Sequence, residues 1–597
     1  MSIKRHCRVR TGQEPCIDSG PLTPRTRNRQ IPLAPPHDLP SLRDSDLMRL
    51  SSAALAAITI IAFPAAILAQ PRVAAPEARV DSLFARWSNA ATPGCAVGVS
   101  RDGRSIFERA YGMADLEHDV PATAATIYEA GSVSKQFTAA AIVLLAQQGK
   151  LSLDDDVRKH IPEVPDHGTP ITIRHLLTHT SGLRDWGSVA AIAGAPRGAR
   201  AYTHAHVLDI VSRQKSLNYA PGAAYSYTNT GYNLLAMIVD RVSGMPFGEF
   251  TRTQLFEPLG MRRTQWRDDF TRIVKDRAIA YDMRFDGGLS TDMPFENVHG
   301  NGGLLTTVGD LLLWTENLET GKVGGPAFLK EMHHQAVLTT GREITYASGL
   351  RVARYNQVAE VSHTGATAGY RAFLARYPEQ RVAVAMLCNS GSANPSTLGH
   401  AIADAFLGPA ATRREPVRPP TNITVPMDEL RAYAGLYRDP MTGESVRLVV
   451  AEDRLRIDRG AALIPLTRTA FQVGGGRRFD IERVPGSSRP RVRETSDEAD
   501  AVIYEPVPDF APTPADLGAY TGEFYSAEAE VALTASVENG ALVLRRRPGT
   551  RLVLTPVYAD AFDSPLGRIR FMRDATGRVM ELSVRQERVW DLRFARR

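Results

Sequence analysis

The sequence of 597 residues predicts a mixed α/β region followed by two small all-β antiparallel barrels. Between residues 78 and 410, short β-runs around tight turns alternate with helical runs, which indicates an α/β domain. After residue 426, a sequence motif recurs once and the apolar residues alternate with period two, which indicates antiparallel barrels. The length suffices for this number of domains.

Two segments precede the folded domains. Residues 1–47 are rich in Arg and Pro without apolar periodicity, so we expect a disordered or untranslated extension. Met48 then begins a predicted signal peptide over residues 48–69, in which Arg49 supplies the positive charge, an apolar run follows and Ala69 marks the cleavage site. A membrane anchor is the alternative, but the run is short for a span and carries a proline. We therefore expect an exported protein, periplasmic or extracellular, that is not held at a membrane after cleavage.

The elements of the α/β region follow a short linker over residues 70–77. Two β-runs around Asp102-Gly103 predict a hairpin, because Asp-Gly favours a tight two-residue turn. A first helix and a helix starting near Ser132 lie on either side of this hairpin. The later predicted elements are helices at 231–242, 308–318 and 395–407 and strands at 357–366, 370–377 and 381–387.

Ser132 and Lys135 lie at the start of an apolar run that predicts a buried helix. Residues at this spacing share one face of a helix. The serine hydroxyl then lies at the positive end of the helix dipole, and the amine one turn later can take its proton. Serine is a weak nucleophile until a base activates it, and this pair supplies the base. Ser-x-x-Lys also occurs by chance at solvated helix starts, so other residues must show whether this pair is catalytic.

Two further polar motifs follow. Tyr227 and Asn229 lie in a predicted polar turn, where a tyrosine beside an ammonium can relay a proton and an asparagine can hold a substrate amide. His363-x-Gly365 ends a predicted strand, and the glycine is expected to let a ligand lie against the strand edge.

Taken in order, Ser132-x-x-Lys135, Tyr227-x-Asn229 and His363-x-Gly365 resemble the active-site elements of the penicillin-recognising serine hydrolases. The resemblance is to the branch of class C β-lactamases, D,D-peptidases and esterases, and it covers residues 78–410. It implies an antiparallel sheet flanked by helices, beside an all-helical region, with the active site between the two. The implied sheet consists of the N-terminal hairpin and three strands around His363.

The resemblance also implies a role for each residue. Ser132 is the nucleophile that the substrate acylates, Lys135 is its proton partner and Tyr227 is the general acid/base. Which of Lys135 and Tyr227 takes the first proton stays open. The other implied roles are substrate binding by Asn229, His363, Thr364 and Gly365, an oxyanion hole formed by the backbone N–H groups of Ser132 and Ala366, and a structural rather than catalytic His179.

The chain departs from many β-lactamases of this branch at His363, where they carry lysine. Lysine is a permanent cation that meets the carboxylate of the drug, whereas histidine is mostly neutral at pH 7. The departure favours a peptidase or esterase over an efficient β-lactamase. We expect hydrolysis of amide bonds through an acyl-enzyme. Peptides with D-amino acids are the first choice of substrate, as in D-aminopeptidases or D,D-carboxypeptidases. Short acyl esters are the second choice and β-lactams the third, and a non-catalytic penicillin-binding-like sensor is the alternative from another class.

The cysteines at positions 7, 16, 95 and 388 are too few for a disulfide scaffold or a zinc module. In the sheet that the resemblance implies, the strands of Cys95 and Cys388 are antiparallel neighbours. A disulfide between them is one alternative in an oxidising compartment, and two buried free thiols are the default expectation.

The C-terminal part begins with a Pro-rich linker over residues 411–426, followed by predicted barrels at 427–509 and 510–597. Leu430-x-x-Tyr433-x-Gly435-x-Tyr437 recurs as Leu517-x-x-Tyr520-x-Gly522-x-Phe524. The pair looks similar to the lipocalin-like barrels that follow the catalytic domain in some D-aminopeptidases of this superfamily. Their aromatic residues are expected in barrel cores. The barrels bind a ligand, contact the catalytic cleft or act as spacers, and the sequence leaves these three alternatives open.

Composition and missing motifs exclude other classes. A net charge of +6 and a pI near 9.1 are a weak excess for this length, so nucleic acid is not an expected partner. Gly-x-Ser-x-Gly and His-Glu-x-x-His do not occur, which argues against an α/β-hydrolase and a zinc protease. We expect no cofactor and no metal, a small peptide or ester as substrate, and an oligomeric state that the sequence leaves open.

Overall fold

The computed structural model describes residues 75–408, 423–473, 477–496 and 501–597. The predicted N-terminal extension, the signal peptide, most of the Pro-rich linker and the cysteines at positions 7 and 16 lie outside these residues. None of the helices in the described ranges has the length and apolar character that crossing a membrane requires.

A six-stranded antiparallel sheet forms the centre of the α/β region, in the order β3-β4-β5-β6-β1-β2. Its strands are β1 (Cys95–Arg101), β2 (Arg104–Tyr111), β3 (Arg351–Tyr355), β4 (Val358–Thr367), β5 (Tyr370–Tyr377) and β6 (Val382–Cys388). The sequence predicted the N-terminal hairpin and three of the later strands but missed β3. This strand lies at the edge of the sheet, and its half-buried side chains include Arg351, so it has no apolar run that would reveal it.

Helices cover both faces of this sheet because apolar residues alternate along its strands. Val97 and Val99 pack with the helices Pro76–Phe84 and Pro395–Leu407 on one face. Gly98 faces the helix Val308–Thr320 on the other side, so closely that a Cβ at this position would lie 3.1 Å from the Leu312 side chain. The confirmed arrangement is an antiparallel sheet flanked by helices.

The all-helical region and its connections complete this part of the chain. The remaining α-helices before residue 408 are Lys135–Gln147, Ile173–Leu177, Trp186–Ala193, His204–Ser212, Asn229–Ser243, Phe247–Thr251, Glu257–Leu259 and Gly325–Met332, with a π-helical turn at Arg252–Phe256 and 3-10 turns at Ala85–Trp87, Gly131–Ser134, Val157–Lys159 and Pro378–Gln380. Short strands lie at Met113–Asp115, Val120–Pro121, Tyr128–Glu129, Gln265–Trp266, Tyr281–Met283, Leu289–Thr291 and Leu304–Thr306.

Strand β4 passes close to the turn Gly131–Ser134, and two glycines make this approach possible. A Cβ on Gly365 would lie 2.0 Å from the carbonyl oxygen of Ala130, and a Cβ on Gly131 would lie 2.7 Å from the backbone nitrogen of Ala366. The chain's own backbone, just before Ser132, thus occupies the space that a side chain at position 365 would need. This packing is a second reason for glycine at 365, and a ligand beside this strand stays a prediction.

Cys95 and Cys388 form a disulfide bond, which overturns the default expectation of two free thiols. The two residues are directly opposite each other in the β1–β6 pair, and their Cα atoms are 4.0 Å apart. Both are fully buried. The bond therefore joins the first and last strands of the sheet in chain order.

The C-terminal part consists of two antiparallel sheets that curl into near-barrels. The first has the order β9-β8-β7-β14-β13-β12-β11-β10, and Leu463 N–H donates to Leu455 O at 2.8 Å where its two ends meet. Its strands are β7 (Gly435–Arg438), β8 (Ser445–Ala451), β9 (Arg454–Ile457), β10 (Ile464–Pro465), β11 (Ala470–Val473), β12 (Arg477–Glu482), β13 (Arg491–Thr495) and β14 (Val502–Val507), after the helix Met427–Tyr433.

The second near-barrel has the order β18-β17-β16-β15-β23-β22-β21-β20-β19. Its strands are β15 (Gly522–Ser526), β16 (Val531–Glu538), β17 (Ala541–Arg546), β18 (Thr550–Val553), β19 (Thr555–Tyr558), β20 (Ala561–Ser564), β21 (Gly567–Arg573), β22 (Val579–Gln586) and β23 (Val589–Arg596), after the helix Pro514–Leu517 and the 3-10 turn Gly518–Tyr520.

The sequence repeat occupies equivalent places in the two barrels. Tyr437 of the first barrel and Phe524 of the second are both fully buried in the strand that follows the short helix. The glycines two residues earlier, Gly435 and Gly522, have φ angles of 143° and 145°. The expectation that the aromatic residues of the repeat form barrel cores agrees with this burial.

The second barrel is fastened to the helical region by buried polar contacts. The guanidinium of Arg184, fully buried, pairs with Glu528 at 3.0 Å and donates to the backbone oxygen of Asp591 at 2.7 Å. The two barrels are joined in turn by Arg585, which pairs with Glu444 at 2.8 Å. Because a buried charge that loses its partner costs several kcal/mol, these contacts fix the position of the second barrel.

Replacing Cys95 and Cys388 by alanine should lower the free energy of unfolding by about 2–4 kcal/mol, because the disulfide restricts the unfolded chain. Thermal unfolding of the double variant, beside the wild type with and without reductant, measures the change. Mass spectrometry of the unreduced, denatured and alkylated wild type is the control. Alkylation of both cysteines in that sample would contradict the bond.

Gly365→Ala should lower the free energy of unfolding by about 1–3 kcal/mol, because the new Cβ collides with the Ala130 carbonyl. Gly309→Ala is the matched control, since the nearest atom to its new Cβ is 4.0 Å away. Urea unfolding of both variants gives the comparison. Equal stability of the two would show that β4 does not press against the turn.

Candidate active site

The predicted site residues meet at one cavity of about 400 Å³ between the central sheet and the helical region. This volume is in the range of small-molecule sites. The cavity is lined by Gly131, Ser132, Arg197, Tyr225, Tyr227, Asn229, Asn301, Gly302, Tyr346, Arg351, His363, Thr364, Gly365, Ala366, Thr367, Pro395, Glu587 and Arg588. Lys135 lies directly behind Ser132.

Ser132 lies on the 3-10 turn that leads into the helix Lys135–Gln147. It is half-buried, whereas all its neighbours from Thr126 to Leu145 are buried. The apolar run therefore anchors the helix in the core and leaves this one hydroxyl at the cavity. The helix begins slightly later than predicted because a 3-10 turn carries the serine.

The amine of Lys135 is completely buried and contacts three oxygen atoms. Its Nζ atom lies 3.1 Å from Ser132 Oγ, 3.0 Å from Asn229 Oδ1 and 2.7 Å from the backbone oxygen of Asn301. Burial lowers the pKa of Lys135 well below its ordinary value, and the positive charges of Arg588 and Arg197 lower it further.

Both protonation states of Lys135 satisfy these three contacts. An ammonium donates to all three oxygens, whereas a neutral amine has two N–H donors and one lone pair. The oxygens of Asn229 and Asn301 can only accept, so in the neutral state they take the two N–H groups. The lone pair of the neutral amine then faces the hydroxyl of Ser132, which can donate its proton to Lys135.

Tyr227 is half-buried in the cavity lining, with its hydroxyl oxygen buried, and its ring centroid lies 4.8 Å from Lys135 Nζ. Burial raises the pKa of Tyr227, and the nearby Ser132 hydroxyl only partly opposes this rise. Its hydroxyl has no hydrogen-bond partner within the part of the chain that the structure describes. Tyr227 is therefore a neutral phenol with a free donor, rather than a tyrosinate.

His179 holds the segment around Tyr227 in place. Its backbone oxygen accepts from Ser226 N–H at 3.0 Å, and its ring Nδ1 accepts from Thr228 N–H at 3.3 Å. Its ring also lies 4.3 Å from that of Tyr227, measured between centroids. Burial lowers the pKa of His179 well below its ordinary value, so the ring is neutral and matches the structural role expected for it.

Asn229 begins a helix instead of lying in the polar turn that the sequence predicted. Thr228 caps this helix with its side chain, and the backbone N–H of Asn229 donates to Asp185 Oδ2 at 2.8 Å. The side-chain oxygen of Asn229 is already bound to Lys135. A substrate at Ser132 can therefore reach the remaining NH₂ group of Asn229 but not its oxygen.

His363 points away from solvent into the wall of the cavity, where Tyr346 completes its hydrogen bonds. Its Nδ1 atom lies 2.6 Å from the backbone oxygen of Thr364, an acceptor, so this nitrogen carries the proton. The hydroxyl of Tyr346 then donates to Nε2 at 2.9 Å. Burial lowers the pKa of His363 to about 3. The ring is neutral at pH 7, as expected.

Thr364 and Ala366 on β4 face the cavity. Thr364 and Ala366 are exposed, while His363 and Gly365 are buried, because side chains alternate along β4. The backbone of Ala366 lies beside Gly131, next to the nucleophile. The structure thus brings the two predicted oxyanion donors, Ser132 and Ala366, to the same wall.

Sequence reasoning missed three residues of the site. Asn301 binds Lys135 from a glycine-rich loop, and its glycine neighbours were the one signal available. Tyr346 lies in a segment without a recognisable motif. Arg588 comes from the second barrel, where it follows Glu587 in a turn between two strands. Charged residues are common in such exposed turns, so nothing in the sequence indicated a role in the site.

The comparisons with known proteins agree with this geometry. The family model described as Beta-lactamase matches residues 77–408, which is more than half of the chain. The D-aminopeptidase of Gluconobacter oxydans (strain 621H) is 26% identical over 430 residues, 72% of this chain and 77% of that protein. Penicillin-binding protein 4* of Bacillus subtilis (strain 168) is 28% identical over 308 residues, 49% of this chain and 67% of that protein.

A solved structure shares the fold. The octameric penicillin-binding protein homologue from Pyrococcus abyssi superposes with a TM-score of 0.52 and 24% identity, over 72% of this chain and 100% of that chain. The predictions of family and enzyme class are confirmed. The chain belongs to the beta-lactamase family and is a serine hydrolase of that family.

Proposed function

We propose that this enzyme hydrolyses amides and peptides of D-amino acids through an acyl-enzyme on Ser132. The observation that carries the proposal is the environment of Lys135, a buried amine that lies 3.1 Å from Ser132 Oγ and whose pKa burial lowers well below its ordinary value. The substrate class is supported by the D-aminopeptidases of Gluconobacter oxydans and Cereibacter sphaeroides, which are similar over about three quarters of the chain.

Lys135, rather than Tyr227, takes the first proton in this proposal. Its pKa is depressed by burial, whereas burial raises the pKa of Tyr227. The Ser132 proton moves to Lys135 Nζ while Oγ attacks the substrate carbonyl. The backbone N–H groups of Ser132 and Ala366 stabilise the oxyanion, and each such donor contributes about 3 kcal/mol.

The leaving amine receives its proton from the hydroxyl of Tyr227, which is free to donate. Tyr227 recovers a proton from the Lys135 ammonium, since the two groups are neighbours. Water then attacks the acyl-enzyme with the same groups acting in reverse, as microscopic reversibility requires. Asn229, Thr364 and Gly365 line the cavity where they bind substrate in this proposal.

Export is part of the proposal. Residues 48–69 carry the pattern of a signal peptide, and the disulfide between Cys95 and Cys388 suits an oxidising compartment. A periplasmic or extracellular enzyme would meet D-amino acid peptides outside the cytoplasm.

Wild-type enzyme should release p-nitroaniline from D-alanine p-nitroanilide faster than from the L-isomer, and Ser132→Ala should lower this rate by about 10³-fold or more. Labelling by a fluorescent penicillin or fluorophosphonate reports the acyl-enzyme directly. p-Nitrophenyl butyrate and a chromogenic cephalosporin are the comparison substrates. Equal labelling of wild type and Ser132→Ala would refute the mechanism, and faster turnover of the ester would make it an esterase.

The pH dependence of kcat/KM should show Lys135 acting as a neutral base. A base with a depressed pKa is active above that pKa, and activity is lost as the pH falls through it, so the rate should become level well below lysine's ordinary pKa of about 10.4 and stay level up to pH 10. Lys135→Arg should lower kcat/KM by about 10²–10⁴-fold across this range, because a guanidinium cannot accept the proton. A rate that still rises steeply at pH 10 would contradict a depressed pKa.

A further inference from the structure

One turn of the second barrel lines the active-site cavity. The turn joins β22 to β23 and consists of Glu587 and Arg588, both of which line the cavity. The guanidinium carbon of Arg588 lies 5.0 Å from the ring centroid of Tyr227. A residue far outside the family match thus reaches the catalytic groups.

The catalytic region holds this turn in a fixed position. The backbone oxygen of Arg588 accepts from Asp185 N–H at 3.3 Å and from Asn218 Nδ2 at 3.1 Å. Asn218 Oδ1 accepts in turn from Trp590 N–H at 2.9 Å. Because both sides of the turn are anchored, the Arg588 side chain extends from a rigid base.

The described residues provide little negative charge close to the guanidinium of Arg588. Within the described chain, its one ion pair is with Glu587 at 3.8 Å, and the Glu587 side chain is 84% exposed. By contrast, Arg197, which also lines the cavity, donates a 2.9 Å hydrogen bond to Glu296. Arg588 is also only one-third exposed, so water compensates its charge in part.

His363 cannot provide a cation in this cavity, because its ring is neutral and its Nε2 atom is occupied by Tyr346. Arg588 is a permanent cation of the same cavity, and a guanidinium recognises carboxylates with two parallel donors. It lies over Tyr227, the group from which the leaving amine receives its proton. A leaving group that Tyr227 protonates, as in the mechanism proposed above, therefore lies close to Arg588.

We propose that Arg588, contributed by the second barrel, binds the carboxylate of the leaving amino acid and so selects peptides with a free C-terminus. The proposal rests on the acyl-enzyme mechanism at Ser132 given above. It assigns the barrel a direct part in substrate choice, beyond that of a spacer. It also explains why a site with a neutral His363 retains a strong positive charge.

The test uses two substrates that differ only in this carboxylate, D-alanyl-D-alanine and D-alanyl-D-alaninamide. Arg588→Gln should lower kcat/KM for the free acid by about 10- to 100-fold, mainly through KM, and by less than about threefold for the amide. Arg588→Lys should recover part of the loss because it keeps the charge. The loss should shrink at high ionic strength, because salt screens the pair.

Arg551→Gln is the matched control, since it removes an exposed arginine of the same barrel that pairs with Glu538. It should leave both rates unchanged. Thermal unfolding of all variants identifies any that are misfolded, and Arg588→Met, which keeps the aliphatic stem, replaces Arg588→Gln if the latter does not fold.

The outcomes separate the two proposals. If the wild type cleaves both substrates and the acid-to-amide ratio of kcat/KM is the same in Arg588→Gln, the carboxylate role is refuted while the acyl-enzyme mechanism stands. A loss of equal size for both substrates also refutes it, because it indicates a structural effect or a shift in the pKa of Lys135, which the charge of Arg588 helps to lower. If the wild type cleaves neither substrate and no probe labels Ser132, the proposed function itself is refuted.

Discussion

The burial of one amine, that of Lys135, is the constraint on which the site depends. Burial disfavours the ammonium form and lowers the pKa of Lys135 well below its ordinary value, which suits this amine to accept a proton. Three parts of the fold hold it beside Ser132: the helix that carries it, the helix that begins at Asn229 and the loop that presents the oxygen of Asn301. A change in any of these moves the amine away from Ser132.

The sequence predicted the parts of the site that are local in the chain. Ser132 and Lys135 are one helical turn apart, so their contact follows from helix geometry alone. The partners that complete the site are distant in the chain. They are Asn301 in a glycine-rich loop, Tyr346 just before strand β3 and Arg588 near the end of the chain. The periodic pattern of apolar residues does not predict such contacts, because they arise only when the sheet and the barrels pack.

The corrections have a common physical origin. The packing of Gly365 against the Ala130 carbonyl was missed, and free thiols were the default expectation for Cys95 and Cys388, because a sequence shows which residue is small or reactive but not what lies beside it. The barrel repeat was easier to interpret, since its buried Tyr437 and Phe524 follow an alternation that the strands impose. What the repeat did not reveal is that one of its copies supplies a turn to the catalytic cavity.

The bond between Cys95 and Cys388 has a topological consequence. All three active-site motifs, from Ser132 to Ala366, lie inside the covalent ring that this bond closes. A peptide bond cut anywhere within the ring, for example beside the fully exposed Phe285, would leave both fragments attached to each other. A nicked chain would thus keep Ser132 and strand β4 on one molecule, and only cleavage together with reduction would separate them.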